Sequence, residues 1–292
     1  ISSSASGYSS INGYGSVSAE KAFEKYLGID LTPRPNDGGN AWCLDNIDAK
    51  EVWMGTGNFS GATGSGVVVA VIDTGIDTDH PEFKDKIVKP WDFVANNSDA
   101  EDDHGHGTHV SGTIAGINDN KGVTGVAYDA KIMPLKVLST NGSGNISKAI
   151  RYAADNGADV INMSFGNIPK YHDLIVQSTK DAVKYAHEKG VVCVMAAGNG
   201  GYLGSQYDPF PNPTFPARFA IDHGLAVGAI DINNNMAKFS NYSGNTQLNY
   251  VTAPGVYIYS CDGNNGYRWD HGTSMAAPHI AGIAALLKSY DK

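Results

Sequence analysis

The sequence predicts an α/β fold: a doubly wound, mostly parallel central sheet with helices on both faces. Short apolar runs alternate with longer stretches of helical spacing, which is the pattern of βαβ units. The runs are apolar rather than alternating, as expected of strands that are buried on both faces. The predicted strands are 67–72, 131–138, 159–163, 191–197 and 225–230, and the predicted helices between and after them are 107–117, 145–157, 173–189 and 273–289.

The N-terminal part of the chain differs from this pattern. Residues 1–17 are rich in Ser and Gly and predict a flexible arm or linker. Residues 18–27 have helical spacing, since Ala22, Phe23 and Tyr26 share a face and Ser18 can cap the start. We therefore divide the chain into an N-terminal arm with a short helix, residues 1–40, and a compact domain, residues 41–292.

Composition limits the classes of function. The chain has 292 residues, a hydrophobic content of 41% and a net charge of −9. That charge argues against nucleic acid as a partner and fits either cation binding or simple solubility. No apolar run approaches the roughly 20 residues of a membrane span, and because the sequence begins at Ile1 without a leader we expect a processed or trimmed chain. The three cysteines, Cys43, Cys193 and Cys261, allow at most one disulfide and do not indicate a compartment.

Three separated segments contain the residue types of a hydrolytic triad. Asp73 ends the first predicted strand, His106 lies in the sequence HGTH, and Ser274 opens a helix of small residues. A serine hydroxyl becomes a nucleophile when a histidine takes its proton and a carboxylate orients that histidine. Each residue also has an ordinary interpretation, which for Ser274 is a helix N-cap. The order Asp, His, Ser across three suitable settings favours the triad.

Asn199 is the fourth candidate of this site. It follows the strand that ends in the sequence MAAG, where a side-chain amide can donate to a tetrahedral oxyanion. The ordinary interpretation is a turn Asn before Gly200.

These motifs resemble those of the subtilisin-type serine proteases, the subtilases, over about residues 42–290. The resemblance is carried by VIDTGI around Asp73, GHGTHVSGTIAG around His106, INMSFG around Ser164, AAGN at Asn199 and GTSMAAPH around Ser274. It implies a secreted serine endopeptidase, extracellular or periplasmic, that acts on polypeptides, works as a monomer and matures from a zymogen by loss of an inhibitory propeptide. Residues 1–40 would then be a new N-terminus, a remnant of that propeptide or an extension.

The resemblance also implies a cleft for an extended peptide. Its two edges would be Gly142, Ser143 and Gly144 on one side and Ser164, Phe165 and Gly166 on the other. The primary specificity pocket would be walled by Ala197, Gly198 and the segment 214–216, with a cis peptide before Pro216. We hypothesise that Asp208, in the longer segment 200–213, favours Arg or Lys before the cut. Thr74 directly after Asp73 argues against a dibasic preference of the kexin type.

A structural calcium site is implied by the same resemblance. Its ligands would be Glu82, Asp119 and the carbonyl groups of Ile117, Lys121 and Val123. Oxygen ligands with one or two carboxylates suit calcium. The acidic run 99–103 is either a second cation site or a solvated loop.

Other interpretations of the same residues remain open. Zinc could bind to the three neighbouring histidines and the acids beside them, although no matched second ligand group accompanies them. These histidines are His104, His106 and His109. The triad also fits a peptide ligase or macrocyclase, and a silent peptide-binding module would keep the cleft without the chemistry.

Overall fold

Helices alternate with the strands of the central sheet through the middle of the chain. In the computed structural model, which describes residues 8–27, 42–55, 59–166, 173–201 and 212–291, the helices are α1 (Ala19–Leu27), α2 (Trp42–Asn46), α3 (Ala49–Met54), α4 (His106–Ala115), α5 (Ile146–Asp155), α6 (Asp173–Glu188) and α7 (Thr273–Tyr290). The strands are β1 (Val68–Asp73), β2 (Trp91–Asp92), β3 (Lys131–Lys136), β4 (Leu138–Ser139), β5 (Gly142–Ser143), β6 (Val160–Met163), β7 (Val192–Ala196), β8 (Leu225–Ile230), β9 (Tyr250–Pro254), β10 (Ile258–Asp262) and β11 (Gly266–Asp270). Every strand and helix that the sequence predicts is present, with ends within about two residues of the prediction.

The central sheet has seven strands in the order β2-β3-β1-β6-β7-β8-β9, and all of its strand pairs are parallel. Strand order reverses at β1, which has β3 on one side and β6 on the other. Ligands of such sheets bind outside the carboxyl ends of the strands at this reversal. Asp73 is the last residue of β1 and therefore lies at that point.

Helices cover both faces of the sheet, which confirms the predicted doubly wound architecture. Successive residues of β1 point to opposite faces: Val69 and Val71 join one buried cluster, whereas Ala70 and Ile72 join the other. The first cluster contains residues of α4 and α7, and the second contains residues of α5 and α6. Burial on both faces explains why the strand sequences are continuously apolar.

The described part of the N-terminal segment lies along the β9 edge of the sheet. Tyr14 N–H donates to Tyr250 O (2.9 Å), and Thr252 N–H donates to Gly15 O (2.9 Å). Residues 8–17 are thus hydrogen-bonded to the sheet, whereas their composition predicted a flexible arm. The bonds are made by backbone groups, so the residue types of this segment do not reveal them.

The three cysteines are buried free thiols. Burial raises the pKa of both Cys43 and Cys193 to about 12, so these two thiols are protonated and unreactive at neutral pH. Among the helices in the described ranges, none is both long and apolar enough to cross a membrane.

Candidate active site

Asp73 is positioned by β1, whose end lies at the reversal of strand order. Its side chain is 0% exposed. Oδ1 accepts hydrogen bonds from the Thr74 N–H (2.8 Å) and from Nδ1 of His106 (2.7 Å). A buried carboxylate is stabilised by such donors, so Asp73 is fixed as the partner of one imidazole nitrogen.

His106 is the first residue of α4, and the loop before it forms the start of that helix. Gly105, the N-cap residue, has φ of 88°, a left-handed conformation that favours glycine. Asp102 replaces the missing side-chain cap: its carboxylate accepts from the N–H groups of Gly105 (2.9 Å) and Thr108 (2.9 Å) and from the Thr108 hydroxyl (2.6 Å). Burial opposes ionisation of Asp102, but these bonds more than compensate and lower its pKa.

The charges around His106 favour its protonated form. Burial lowers the pKa of His106, but the charge and hydrogen bond of Asp73 raise it more, with further contributions from Asp270 and Asp102, so that the net pKa is raised. The side chain is 20% exposed, so its other nitrogen is accessible. A histidine in this setting is a base that can store a proton during a reaction.

Ser274 lies in the first turn of α7, at the same edge of the sheet. Its hydroxyl donates to Ser164 O (2.9 Å), and the Ser164 hydroxyl donates in return to Ser274 O (2.8 Å). The buried side chain of Asn162 donates to the Ser164 hydroxyl (2.9 Å). This reciprocal pair joins the start of α7 to the end of β6, one strand away from Asp73.

Asn199 lies three residues after β7 and faces the start of α7. Its Oδ1 accepts from both the N–H (2.9 Å) and the hydroxyl (3.0 Å) of Thr273. Because both donors take the oxygen, the Nδ2 group is the end that is left to donate elsewhere. The Thr273 hydroxyl also accepts from the Gly198 N–H (3.0 Å), so Thr273 links the Asn199 loop to the nucleophile helix.

The predicted edges of the cleft leave the sheet on either side of Asp73, because β3 and β6 flank β1. Gly142 and Ser143 form β5, an exposed strand paired with β4, and Gly144 follows it. Ser164, Phe165 and Gly166 follow β6.

The predicted pocket walls come together. A Cβ added to Gly166 would meet Thr214 Oγ1 at 2.3 Å and Gly198 Cα at 3.9 Å. Thr214 N–H also donates to Ala197 O (2.9 Å). The Phe215–Pro216 peptide is cis, as predicted. Asp208 lies outside the described residues.

The other two histidines of the HGTH region do not share the Asp73 contact, although the ring of His104 meets that of His106 edge-on at 6.3 Å. His109 is fully buried, and its Nε2 lies 3.2 Å from Ile258 O, while His104 is exposed in the loop. Burial lowers the pKa of His109 to about 4, which keeps it neutral. The described ranges contain no group of three or more His, Cys, Asp or Glu side chains that could hold a metal ion, so the zinc interpretation finds no support there.

Two of the predicted calcium ligands, Ile117 and Val123, contact a third, Glu82, whose side chain is buried. Its carboxylate accepts from the N–H groups of Ile117 (2.8 Å) and Val123 (3.1 Å) and from the Tyr267 hydroxyl (2.8 Å). Burial and this last bond raise the pKa of Tyr267, which therefore donates as a neutral phenol.

The loop also has oxygen atoms that are free to bind a cation. In the described ranges, no backbone hydrogen bond ends on the carbonyl oxygens of Ile117, Lys121 or Val123. Asp119 Oδ1 accepts from the Lys121 N–H (3.0 Å). A buried carboxylate that is satisfied only by neutral donors, beside unoccupied carbonyl groups and a second carboxylate, suits a hard cation.

The acidic run 99–103 does not converge on one point. Glu101 accepts from Thr78, Asp102 caps α4, and Asp103 binds Ser139, Thr140 and Lys136. These carboxylates hold separate segments of the chain together, so the alternative of a second cation site in this run finds no support in the described residues.

Two polar residues of the site were missed in the sequence. Thr273 precedes the nucleophile without being part of the triad. Asn241, which is buried, accepts from Gly200 N–H (2.7 Å) and donates to the carbonyl groups of Ala197 (3.1 Å) and Asn212 (3.0 Å). These contacts join residues that are 29–75 positions apart, and no local pattern marks them.

Comparisons with known proteins identify the family of the chain. A profile described as the subtilase family matches residues 64–292. The chain is 44% identical over 233 residues to a thermophilic serine proteinase of Bacillus sp. (strain AK1), covering 78% of this chain and 53% of that protein. It is 40% identical over 235 residues to thermitase of Thermoactinomyces vulgaris, covering 79% and 78%.

A solved structure supports the same assignment at the level of the fold. The crystal structure of a cold-adapted subtilisin-like serine proteinase superposes with a TM-score of 0.69 at 35% identity, covering 87% of this chain and 86% of that one. The profile match spans most of the sequence and includes Asp73, His106, Asn199 and Ser274. The chain therefore belongs to the subtilase family of serine proteases.

Proposed function

We propose that the chain hydrolyses peptide bonds as a serine endopeptidase, through an acyl-enzyme formed on Ser274. The observation that carries this proposal is the 2.7 Å bond between Asp73 Oδ1 and His106 Nδ1, at the sheet edge where the nucleophile helix begins. A base that is held in one tautomer beside a serine is the requirement of acyl transfer.

His106 acts as the general base. Because Nδ1 is held by Asp73, Nε2 is the nitrogen that takes the proton of the serine hydroxyl. In the resting arrangement that hydroxyl donates to Ser164 O, so the hydrogen turns from Ser164 O to Nε2 when substrate binds. The imidazolium that forms is stabilised by Asp73, and it then returns the proton to the amine of the leaving peptide.

Asn199 supplies the oxyanion donor. Its oxygen is held by Thr273, so the Nδ2 group is available for the tetrahedral oxyanion, with the N-terminus of α7 as a second source of positive potential. Asn199→Ala is expected to lower kcat by about 10²–10³, the range measured when the corresponding donor of subtilisin is removed.

The substrate is a polypeptide bound in an extended conformation. Its residues before the cut add as a strand between 142–144 and 164–166, and the side chain next to the cut enters the pocket walled by Ala197, Gly198 and Thr214. We assign the preference of that pocket for Arg or Lys to Asp208. Cleavage of a peptide library tests this assignment, and a preference for aromatic residues or Leu would contradict it.

The activity is tested by labelling with a fluorophosphonate, followed by mass spectrometry of peptide products. Labelling of the native chain and its loss in Ser274→Ala are expected. A chain that is folded but not labelled would instead be a binding module. A labelled chain whose products are joined or cyclic peptides rather than hydrolysed ones would be a ligase.

Calcium binding at Glu82 is part of this proposal. The ion would be held by Glu82, Asp119 and the carbonyl groups of Ile117, Lys121 and Val123. It would cross-link the loop after α4 and so stabilise the fold. A ligand that binds only the folded state stabilises it by about 2.7 kcal/mol at 100 times its Kd. Excess chelator is therefore expected to lower Tm in the native chain but not in Glu82→Gln, and an unchanged Tm in the native chain would contradict the site.

Processing and location follow from the same proposal. We assign the protease to an extracellular or periplasmic compartment and its maturation to removal of an inhibitory propeptide. N-terminal sequencing of material made with and without Ser274→Ala tests the second point. An N-terminus at Ile1 that requires Ser274 would support self-cleavage, whereas the same N-terminus in both samples would contradict it.

A further inference from the structure

The hairpin of β4 and β5 is a short and exposed part of the cleft. Its strands pair at only two positions, Leu138 with Ser143 and Ser139 with Gly142, and both β5 residues are exposed. Two-stranded hairpins are marginally stable by themselves. The position of this edge therefore depends on contacts between the hairpin and the body of the protein.

Asp103 provides such contacts at the turn of the hairpin. Its Oδ2 accepts from the Ser139 hydroxyl (2.6 Å), from the Thr140 hydroxyl (3.2 Å) and from the Thr140 N–H (3.3 Å). Its Oδ1 forms an ion pair with Lys136 Nζ at 3.2 Å. One carboxylate thus binds the last residue of β4, the first residue of the turn that leads to β5, and the last residue of β3.

These contacts join the hairpin to the catalytic residues. Asp103 lies three residues before His106, directly after the residue that caps α4. Lys136 pairs in parallel register with Asp73 and also donates to Glu101 O (2.6 Å). The carboxylate of Asp103 therefore links the loop of the base, the strand beside the triad carboxylate and the substrate edge.

The link persists over a wide range of pH. Desolvation raises the pKa of Asp103, but the hydrogen bonds from Ser139, Lys136 and Thr140 and the charge of Lys136 together outweigh this effect and lower it to about 2. The carboxylate is therefore ionised at every pH at which His106 can act as a base, so titration of Asp103 itself does not contribute to the acid limb of the activity profile.

We propose that Asp103 is a positioning residue that fixes the β5 edge relative to His106 and so controls the use of extended substrates. The inference rests on the proposed endopeptidase function. A peptide with several residues before the cut makes backbone bonds to this edge and needs it in register with the base, whereas a short substrate reaches the base and the pocket alone.

The test compares two substrates in the native chain, in Asp103→Ala and in Asp103→Asn. The substrates are a chromogenic peptide with four residues before the scissile bond and one with a single residue. In Asp103→Ala, kcat/KM for the long peptide is expected to fall about tenfold more than for the short one, mainly through KM. Asp103→Asn is expected to recover part of that loss, because it retains an oxygen acceptor for Ser139 and Thr140 but not the charge that pairs with Lys136.

Asp99→Asn is the matched control, since it removes one negative charge from the same acidic run without touching the hairpin. It is expected to leave the ratio of the two kcat/KM values unchanged. An equal loss of kcat/KM for both substrates in Asp103→Ala, or no loss, would overturn the positioning role. A change in the pKa of His106 would instead appear as a shifted pH profile. A native chain that is not labelled by fluorophosphonate would instead overturn the proposed function itself.

Discussion

The pKa of His106 is set at the residue scale by opposing effects. Burial favours the neutral imidazole, and the nearby carboxylates favour the charged one. One of these carboxylates, Asp270, lies on β11. It belongs neither to the triad nor to the loop before His106. It accepts from Arg268 Nη2 (3.3 Å) and from the His271 N–H (2.8 Å). Its charge acts on the base without a structural role in α4.

Asp270→Asn is expected to move the acid limb of kcat/KM to lower pH. The neutral imidazole is the active form of the base, so activity rises as pH passes through the pKa of His106. Removing a charge that raises this pKa lowers it, and the Arg268 guanidinium that loses a partner acts in the same direction. The measurement is a pH profile of kcat/KM with one peptide substrate.

Asp155→Asn is the control for that profile. Asp155 ends α5 and forms a surface ion pair with Lys189, so its loss changes the net charge equally but leaves the limb in place. An acid limb that does not move in Asp270→Asn would show that Asp73 and Asp102 alone raise the pKa.

At the scale of single residues the sequence indicated the residues that we propose to act on substrate more readily than those that contact and support them. Asp73, His106, Asn199 and Ser274 stand in local motifs whose order along the chain is itself informative. Thr273, Asn241 and Asp103 act through partners that are distant in sequence, and their side chains have many other uses. Only the folded arrangement of loops indicates which of these uses applies.

The helix α4 depends on the glycine that precedes it. Gly105 has φ of 88°, and a Cβ added there would meet Asp262 Oδ1 at 2.4 Å and Arg268 Nη1 at 2.7 Å. Gly157 also has φ of 88°, but a Cβ added there would meet no atom within 4 Å. The two glycines therefore have the same backbone requirement and differ in their surroundings.

Gly105→Ala is expected to lower both stability and kcat/KM, whereas Gly157→Ala lowers stability alone. Each substitution places a side chain in a left-handed conformation, at about 1–2 kcal/mol. In Gly105→Ala the new methyl group also displaces the ends of the Asp262 and Arg268 side chains, and the strained backbone directly before His106 moves that side chain away from Asp73. Chemical unfolding and kcat/KM for both variants test this, and equal activities would contradict the displacement.

The elements of the sheet were predictable to different degrees. Strands buried on both faces, such as β1 and β7, are continuous apolar runs and were predicted. The edge strand β9 and the hairpin of β10 and β11 were not, because polar residues interrupt their apolar runs, as Thr252 does in β9 and Ser260 in β10. The pairing of residues 8–17 with β9 was missed for a related reason, since it uses the backbone of a polar segment.

At the scale of the whole molecule, the N-terminal helix is part of the hydrophobic core. Phe23 of α1 is fully buried and lies against the rings of Phe59 (5.1 Å) and Tyr290 (6.2 Å), the latter at the end of α7. The first described helix thus packs on α7, the helix whose first turn contains Ser274. This contact joins the two ends of the sequence.

Phe23→Ala is expected to lower the free energy of unfolding by about 3–5 kcal/mol, as is usual when a buried phenylalanine is truncated. Tyr26→Ala is the matched control, because Tyr26 also approaches Tyr290 (6.3 Å) but is 55% exposed, and its loss is expected to cost less than about 0.5 kcal/mol. Well below the melting temperature, kcat/KM is expected to be unchanged in both variants, because α1 contacts the far end of α7 rather than Ser274. Chemical denaturation measures the first quantity and peptide hydrolysis the second. A loss in Phe23→Ala no larger than in Tyr26→Ala would mean that α1 is attached to the core only weakly.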